Sequence, residues 1–239
     1  HQFENEVIDF FAPLFGFDPP ETWGIVTASG TDGNNHGVYF GVKYLLAKTK
    51  TRPVLYVSDE AHYSIKKLGD LQNLDMRLIP SDNMGRMRID EFEKALDPSR
   101  PALVVVAIGT TFKGAIDDQE AIDDVLRRKK PLAVYRHLDA ALFGGYLPFS
   151  EFRWIIDRKH VHFDSMAVSG HKFFGFDEPM VASVGVKTIE ITNRGKKAVT
   201  YSIAAEAADG SLPAKLRFSS RTVKVTARRS VRVAVTVVL

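Results

Sequence analysis

Four short stretches of this chain combine residue types that could do chemistry. Ser169-Gly170-His171-Lys172 follows a short apolar run. A lysine at such a strand end is commonly just solvated, but crowding lowers its pKa and makes its amine nucleophilic. In His137-Leu138-Asp139-Ala140-Ala141 a second apolar run ends in a carboxylate. A carboxylate there is costly unless paired, so Asp139 calls for a cationic partner from the protein or from a ligand. Thr27-Ala28-Ser29-Gly30-Thr31-Asp32-Gly33-Asn34 is a small-residue loop leading into a helix. Its glycines allow close backbone approach, and the free N–H groups of a helix start bind phosphate. It is neither a Walker loop nor G-x-G-x-x-G, and taken alone it reads better as a plain tight turn. Ser58-Asp59-Glu60-Ala61-His62-Tyr63-Ser64 carries His62 just past a strand, where a lone histidine is more often structural.

Each stretch alone has a plain structural reading; together they make one demand. A phosphate cradle, a flat platform, a buried acid and an amine are what pyridoxal 5′-phosphate needs. Lysine holds its aldehyde, and the acid keeps the pyridine nitrogen protonated so that the ring accepts electrons.

The elements that must position these residues are short apolar runs alternating with helical periodicity. Runs at 53–58, 102–108, 132–138 and 165–168 read as buried strands. Between them, Val38, Val42, Leu45 and Leu46 form one helical stripe and Ile89, Phe92, Ala95 and Leu96 another. Asp117 to Arg128 reads as a third helix, acidic at its start and basic at its end. This alternation predicts an α/β fold, a mostly parallel sheet flanked by helices, with ligands at the carboxyl ends of the strands.

The pattern changes towards the C-terminus. Residues 187–239 carry eleven lysines and arginines against three acids, whereas all seven histidines and 23 of the 25 aromatics come earlier. Lys187-Thr188-Ile189-Glu190-Ile191-Thr192, Ala198 to Ala204, Arg221 to Val225 and Ser230 to Val237 alternate with period two, and Asn193-Arg194-Gly195 reads as a turn. The expectation is two units, residues 1–180 and 181–239, the second a small antiparallel β-sandwich-like unit that contributes nothing to the cofactor pocket.

Residues 1 to about 180 resemble the large domain of the fold-type-I, group II pyridoxal-phosphate decarboxylases, nearest the histidine and plant-type serine decarboxylase branch. The strings that carry the resemblance are Trp23 to Thr27 with Gly30 to Asn34, His62-Tyr63-Ser64, Ile108 to Thr111 with Lys113-Gly114-Ala115 and Asp117-Asp118, His137 to Ala141, and Ser169 to Lys172. Asp32 stands where the family usually has glutamate. The resemblance implies that Lys172 holds the cofactor aldehyde, Asp139 pairs with the pyridine nitrogen, and His62 stacks on the ring beside the substrate. It implies that Ser29, Gly30 and Thr31 hold the phosphate with help from Ser169 and His171. Thr110 or Thr111 contacts the ring or supports Asp139, and His137 lies behind the site. The implied reaction is decarboxylation of an L-amino acid, histidine before serine, by a cytoplasmic homodimer. The last fifty or so residues resemble the fibronectin-III-like domain of subtilisin-family proteases. Both segments look shorter than their families' domains, so the alternative is a non-catalytic decarboxylase fragment whose β-module binds a partner or is structural.

Several other chemistries fall away. The chain has no cysteine, which excludes disulfides, thiolate nucleophiles and Cys-based zinc sites. No apolar run approaches the roughly 20 residues of a membrane span, and the first residues form no basic then apolar leader. His160-x-His162-x-Asp164 has alternate residues on one face but no further ligand, so it reads as a surface edge and no metal is expected. Arg127-Arg128-Lys129-Lys130 reads as a basic helix end rather than a nucleic-acid contact. Trp23, Phe143 and Trp154 are expected in the core or the pocket wall.

Overall fold

The structure, a computed structural model, describes residues 2–175, 181–186, 188–192, 197–202, 215–218 and 222–238. In chain order the first elements are α1 (Gln2–Leu14), β1 (Thr22–Thr27), α2 (Gly30–Thr49), β2 (Val54–Ser58), α3 (Tyr63–Leu71) and β3 (Asp75–Ile79). There follow α4 (Ile89–Ala95), β4 (Ala102–Ala107), α5 (Gln119–Lys129), β5 (Val134–Asp139), β6 (Ser165–Ser169) and β7 (Val181–Val186). Strands β1 to β7 form one sheet in the order β1-β7-β6-β5-β4-β2-β3. Strands β2 to β6 pair in parallel, and β7 runs antiparallel to both β6 and β1.

Side chains of the central strands alternate between two buried faces, which is why these strands read as continuous apolar runs. Leu55, Val57, Leu103 and Val105 pack under α2 and α3, while Tyr56, Val104, Val106 and Leu138 face the cluster containing α1, α4 and α5. The expected strands and the two apolar stripes are present. Strand β3 escapes sequence reading because it is an edge strand, Asp-Met-Arg-Leu-Ile, with most of its residues exposed. The third helix begins at Gln119, because Asp118 is its cap: the Asp118 carboxylate accepts from Ala121 N.

The boundary expected at residue 180 is corrected by β7. Val181-Ala-Ser-Val-Gly-Val carries no charge and fills the slot between β6 and β1. The basic composition starts only at Lys187. A strand paired on both sides needs apolar and small residues, and β7 has them, so the α/β layer runs at least to Val186. Beyond it, β8 (Thr188–Thr192), β10 (Lys215–Phe218) and β12 (Ser230–Val238) form a three-stranded antiparallel sheet. Strand β9 (Val199–Ser202) pairs with β11 (Thr222–Val225), where Val223 and Val225 are buried and Thr222 and Lys224 exposed. The expected turn at 193–195 lies outside the described residues.

One contact positions the site. Helix α2 crosses β5 on small residues, with Gly41 over Tyr135, Gly37 over His137 and Gly30 beside Ala141. A Cβ at Gly41 would lie 2.7 Å from Leu103 and from Tyr135, and one at Gly37 would overlap the His137 ring. Alanine would gain roughly 1 kcal/mol of helix propensity. Overpacking a buried ring costs about 1–3 kcal/mol, and here it wins. Gly37→Ala is expected to lower the urea unfolding midpoint; an unchanged or higher midpoint would show that α2 does not rest on His137.

Candidate active site

The carboxyl edge of the sheet opens into a cavity of about 440 Å³ lined by Gly30, Thr31, Asn34, His62, Gly109, Thr111, Asp139, Ala141, Leu142, Ser169, His171 and Lys172. All of them precede β7. Among the described residues nothing from 187 onwards is part of this wall.

Asp139 is the last residue of β5, flanked by Ala107 of β4 and Ala167 of β6. Ile108 N donates to its carbonyl, so its backbone is held at the middle of the sheet. The carboxylate is 8% exposed and accepts from Ala141 N at 3.3 Å. No protein cation pairs with it among the described residues. The requirement for a cationic partner is therefore left to whatever enters the cavity.

Ser29 is the N-cap of α2, with extended backbone and its Oγ accepting from Asp32 N at 3.2 Å. That oxygen caps the helix, and Ser29 is not among the residues that line the cavity. Gly30 and Thr31 are, and their amides belong to the first helical turn, which lacks intrahelical acceptors. A Cβ on Gly30 would lie 3.6 Å from both Ala141 Cβ and Ser169 Oγ. The helix start, the end of β5 and the end of β6 thus converge there. Asp32 is exposed and lies off the wall, 3.8 Å from His36 Nδ1.

His62 caps α3: its Nδ1 accepts from Ser64 N at 3.3 Å and meets Ser64 Oγ at 2.7 Å. That pins one ring edge and leaves the rest of the ring to the cavity. Across from it, the loop between β4 and α5 separates the two threonines. Thr110 is buried and its Oγ1 accepts from Ala115 N at 3.0 Å, so it braces the loop. Thr111 is on the wall. Gly109 has φ +101°, a conformation glycine tolerates, with Phe143 packed against it. Ser169 ends β6 and Lys172 follows it, with its side chain exposed at the cavity mouth.

Two residues matter more than the sequence suggested. Asp117, read as an acidic helix start, is buried, and its two oxygens accept from Met87 N (2.7 Å) and Ala107 N (2.9 Å). It ties the base of the 108–116 loop, and burial pushes its carboxyl up to about 6. Asn34, part of the glycine loop string, is buried on the cavity wall, and its Oδ1 meets His137 Nε2 at 2.9 Å. The His137 ring is fully enclosed, with Nδ1 2.8 Å from Ser165 Oγ, and burial pushes its pKa down to about 3. Trp154 is half exposed and away from this cavity, and Phe143 packs against the core. Among the described residues no cluster of histidines and acids could hold a metal. His162 and Asp164 lie 3.7 Å apart, with His162 exposed.

The donor set fits pyridoxal phosphate: helix amides and a hydroxyl for a dianion, an unpaired carboxylate for a cationic ring nitrogen, and an amine for an aldehyde. Comparison with known proteins agrees. Residues 41–203 match the pyridoxal-dependent decarboxylase conserved domain. The chain belongs to this decarboxylase family. It is 38% identical over 181 residues to a histidine decarboxylase of Mesorhizobium japonicum, covering 75% of this chain and 47% of that protein. It is 34% identical over 203 residues to serine decarboxylase 1 of Oryza sativa subsp. japonica, covering 84% of this chain and 40% of that one. The crystal structure of mouse CSAD superposes with a TM-score of 0.65 at 27% identity, over 77% of this chain and 40% of that one. The chain spans about half the length of the curated relatives it matches. No helix among the described residues is long and apolar enough to cross a membrane.

His137 and Asp117 titrate against each other. The folded chain holds His137 neutral down to about pH 3, against 6.5 for an ordinary histidine, so that contribution is present above 6.5 and lost as pH falls towards 3. Asp117 is raised from 3.8 to about 6, so it favours folding most at low pH and that contribution is lost as pH rises from 4 to 6. The two slopes oppose between pH 4 and 6. Replacing His137 with Gln is expected to make stability fall more steeply with rising pH in that window, by up to about 1.4 kcal/mol per unit relative to the parent. Parallel stability–pH curves for the two proteins would show that His137 is not held neutral.

Proposed function

We propose that this chain binds pyridoxal 5′-phosphate through Lys172 and serves in the decarboxylation of an L-amino acid, with histidine as the favoured substrate. The observation that carries this reading is the buried, cation-free Asp139 facing the same cavity as the α2 start and Lys172. Relatives described as histidine decarboxylases, 33–38% identical, favour histidine, and the serine decarboxylase makes serine the runner-up.

When bound, the cofactor supplies an aldehyde for amines and a protonated ring that takes up the electron pair left as the substrate carboxylate departs. The residues of the chain do the rest. The Gly30 and Thr31 amides and the Ser169 hydroxyl hold the phosphate, with His171 beside them. Asp139 keeps a proton on the ring nitrogen, and its burial strengthens that pairing. His62 covers a ring face, and Thr111 lines the side opposite β6. The Lys172 amine would hold the aldehyde, and when released from it would carry a proton.

Two further expectations go with this reading. A homodimer is supported by apolar side chains left uncovered near the cavity, Phe112 at 90% exposure with Tyr146, Phe149 and Phe173 about half exposed. A cytoplasmic enzyme and a fibronectin-III-like tail complete it. A narrower reading is cofactor capture without turnover.

Borohydride reduction of the chain with pyridoxal phosphate is expected to fix the cofactor on Lys172, read by peptide mass. Lys172→Ala should abolish the adduct and leave the unfolding free energy within about 0.5 kcal/mol, since an exposed side chain contributes little packing. An adduct that persists in the variant would move the role to another lysine. Asp139→Asn should retain cofactor but release carbon dioxide from histidine at least about 100-fold more slowly, the scale of losing one preorganised electrostatic partner. Equal rates in parent and variant would leave Asp139 a structural residue, whereas an adduct without carbon dioxide from the parent would favour the capture-only reading.

A further inference from the structure

Asn34 is 1% exposed yet lines the cavity, and it is tied down from behind. Its Oδ1 lies 2.9 Å from His137 Nε2, and His137 Nδ1 lies 2.8 Å from Ser165 Oγ. An amide oxygen only accepts, so the His137 proton is on Nε2, and Nδ1 accepts from the Ser165 hydroxyl. Burial keeps the ring neutral, which preserves this one-way order. With Oδ1 engaged, the two N–H donors of Nδ2 have no acceptor among the described residues, and they are not sealed from the cavity. A buried polar group without a partner costs free energy, and this one stands where a ligand would supply the partner.

Its place along α2 is defined by its neighbours. Gly41 sits over Tyr135, Gly37 over His137 and Gly30 beside Ala141, so Asn34 comes level with Asp139, one turn below the phosphate-binding amides. Asp139 takes the cationic end of the cofactor, and the anionic oxygens are what an amide N–H can serve.

Resting on the cofactor reading above, we infer that Asn34 is a further cofactor-binding residue whose Nδ2 donates to an anionic oxygen of pyridoxal phosphate, with its orientation set by the Ser165–His137 relay. Ser165 is then a positioning residue, since it is buried and contributes nothing to the wall.

Equilibrium titration with pyridoxal phosphate tests this without turnover. Asn34→Asp keeps the acceptor for His137 and removes both donors. Its dissociation constant is expected to rise about tenfold to a hundredfold, the scale of one hydrogen bond to an ionised group. Ser165→Ala, which takes no atom from the wall, is expected to raise it by a smaller factor. Titration with pyridoxal separates the two oxygen sources: an equal loss for both ligands assigns a ring oxygen, and a loss confined to pyridoxal phosphate assigns the phosphate. Nitrogen NMR of the histidine-labelled parent should place the His137 proton on Nε2. A proton on Nδ1, or an Asn34→Asp constant within twofold of the parent's, overturns the assignment, and a Ser165→Ala constant equal to the parent's overturns the relay. A parent that binds no pyridoxal phosphate would instead remove the cofactor reading, while the NMR measurement still reports on the amide's orientation.

Discussion

The site depends on how closely α2 can lie on β5. Large side chains between the helix and the sheet would lift the helix N-terminus away from the strand ends. Here Gly41, Gly37 and Gly30 leave no such side chains where α2 meets the strand, and Tyr135, His137 and Ala141 occupy the room. The result is that the positive end of a 20-residue helix dipole meets the carboxyl edge of β5 and β6 where Asp139 and Ser169 emerge. Lys172 lies three residues past the β6 end, on the same rim. If the helix were displaced, the amides, the carboxylate and the amine would no longer share one cavity.

Beneath that rim the chain buries polar groups and satisfies them in different ways. His137 is neutral and bonded at both ring nitrogens. Asp117 is held by two backbone amides that join Met87 and Ala107, which sets where the loop bearing Thr110 and Thr111 begins. Arg136 is fully buried and pairs through NH1 with Asp123, while its Nε and NH2 have no partner among the described residues. A buried ion pair of this kind is weak support for stability, because desolvation offsets the attraction. The cavity side of β5, with His137 and Asp139, is accordingly organised by hydrogen bonds, and the opposite face by apolar packing around one ion pair.

Strand β7 runs against β6 and carries β1 on its other side, so the residues before α2 are anchored to those after Lys172. The start of α2 and the end of β6 are brought together through that pairing, although they lie 139 positions apart in sequence, at Gly30 and Ser169.

Much of the cavity lining was legible in residue types. An acid ending a buried strand, a lysine after another and a glycine loop before a helix each carry a local signal, and their order along the chain matched one family. The parallel sheet was legible for the same reason, since strands buried on both faces leave uninterrupted apolar runs. Other features were settled only by tertiary structure. Ser29 and Thr110 have side chains suited to a cofactor, but one caps a helix and the other braces a loop, and nothing in their own identity separates them from Thr31 and Thr111. Asn34 and Asp117 looked like a turn residue and a helix start, because burial comes from partners distant in sequence. The edge strand β3 and the inserted β7 were hidden because pairing depends on neighbours in space, whereas composition and periodicity report only on neighbours along the chain.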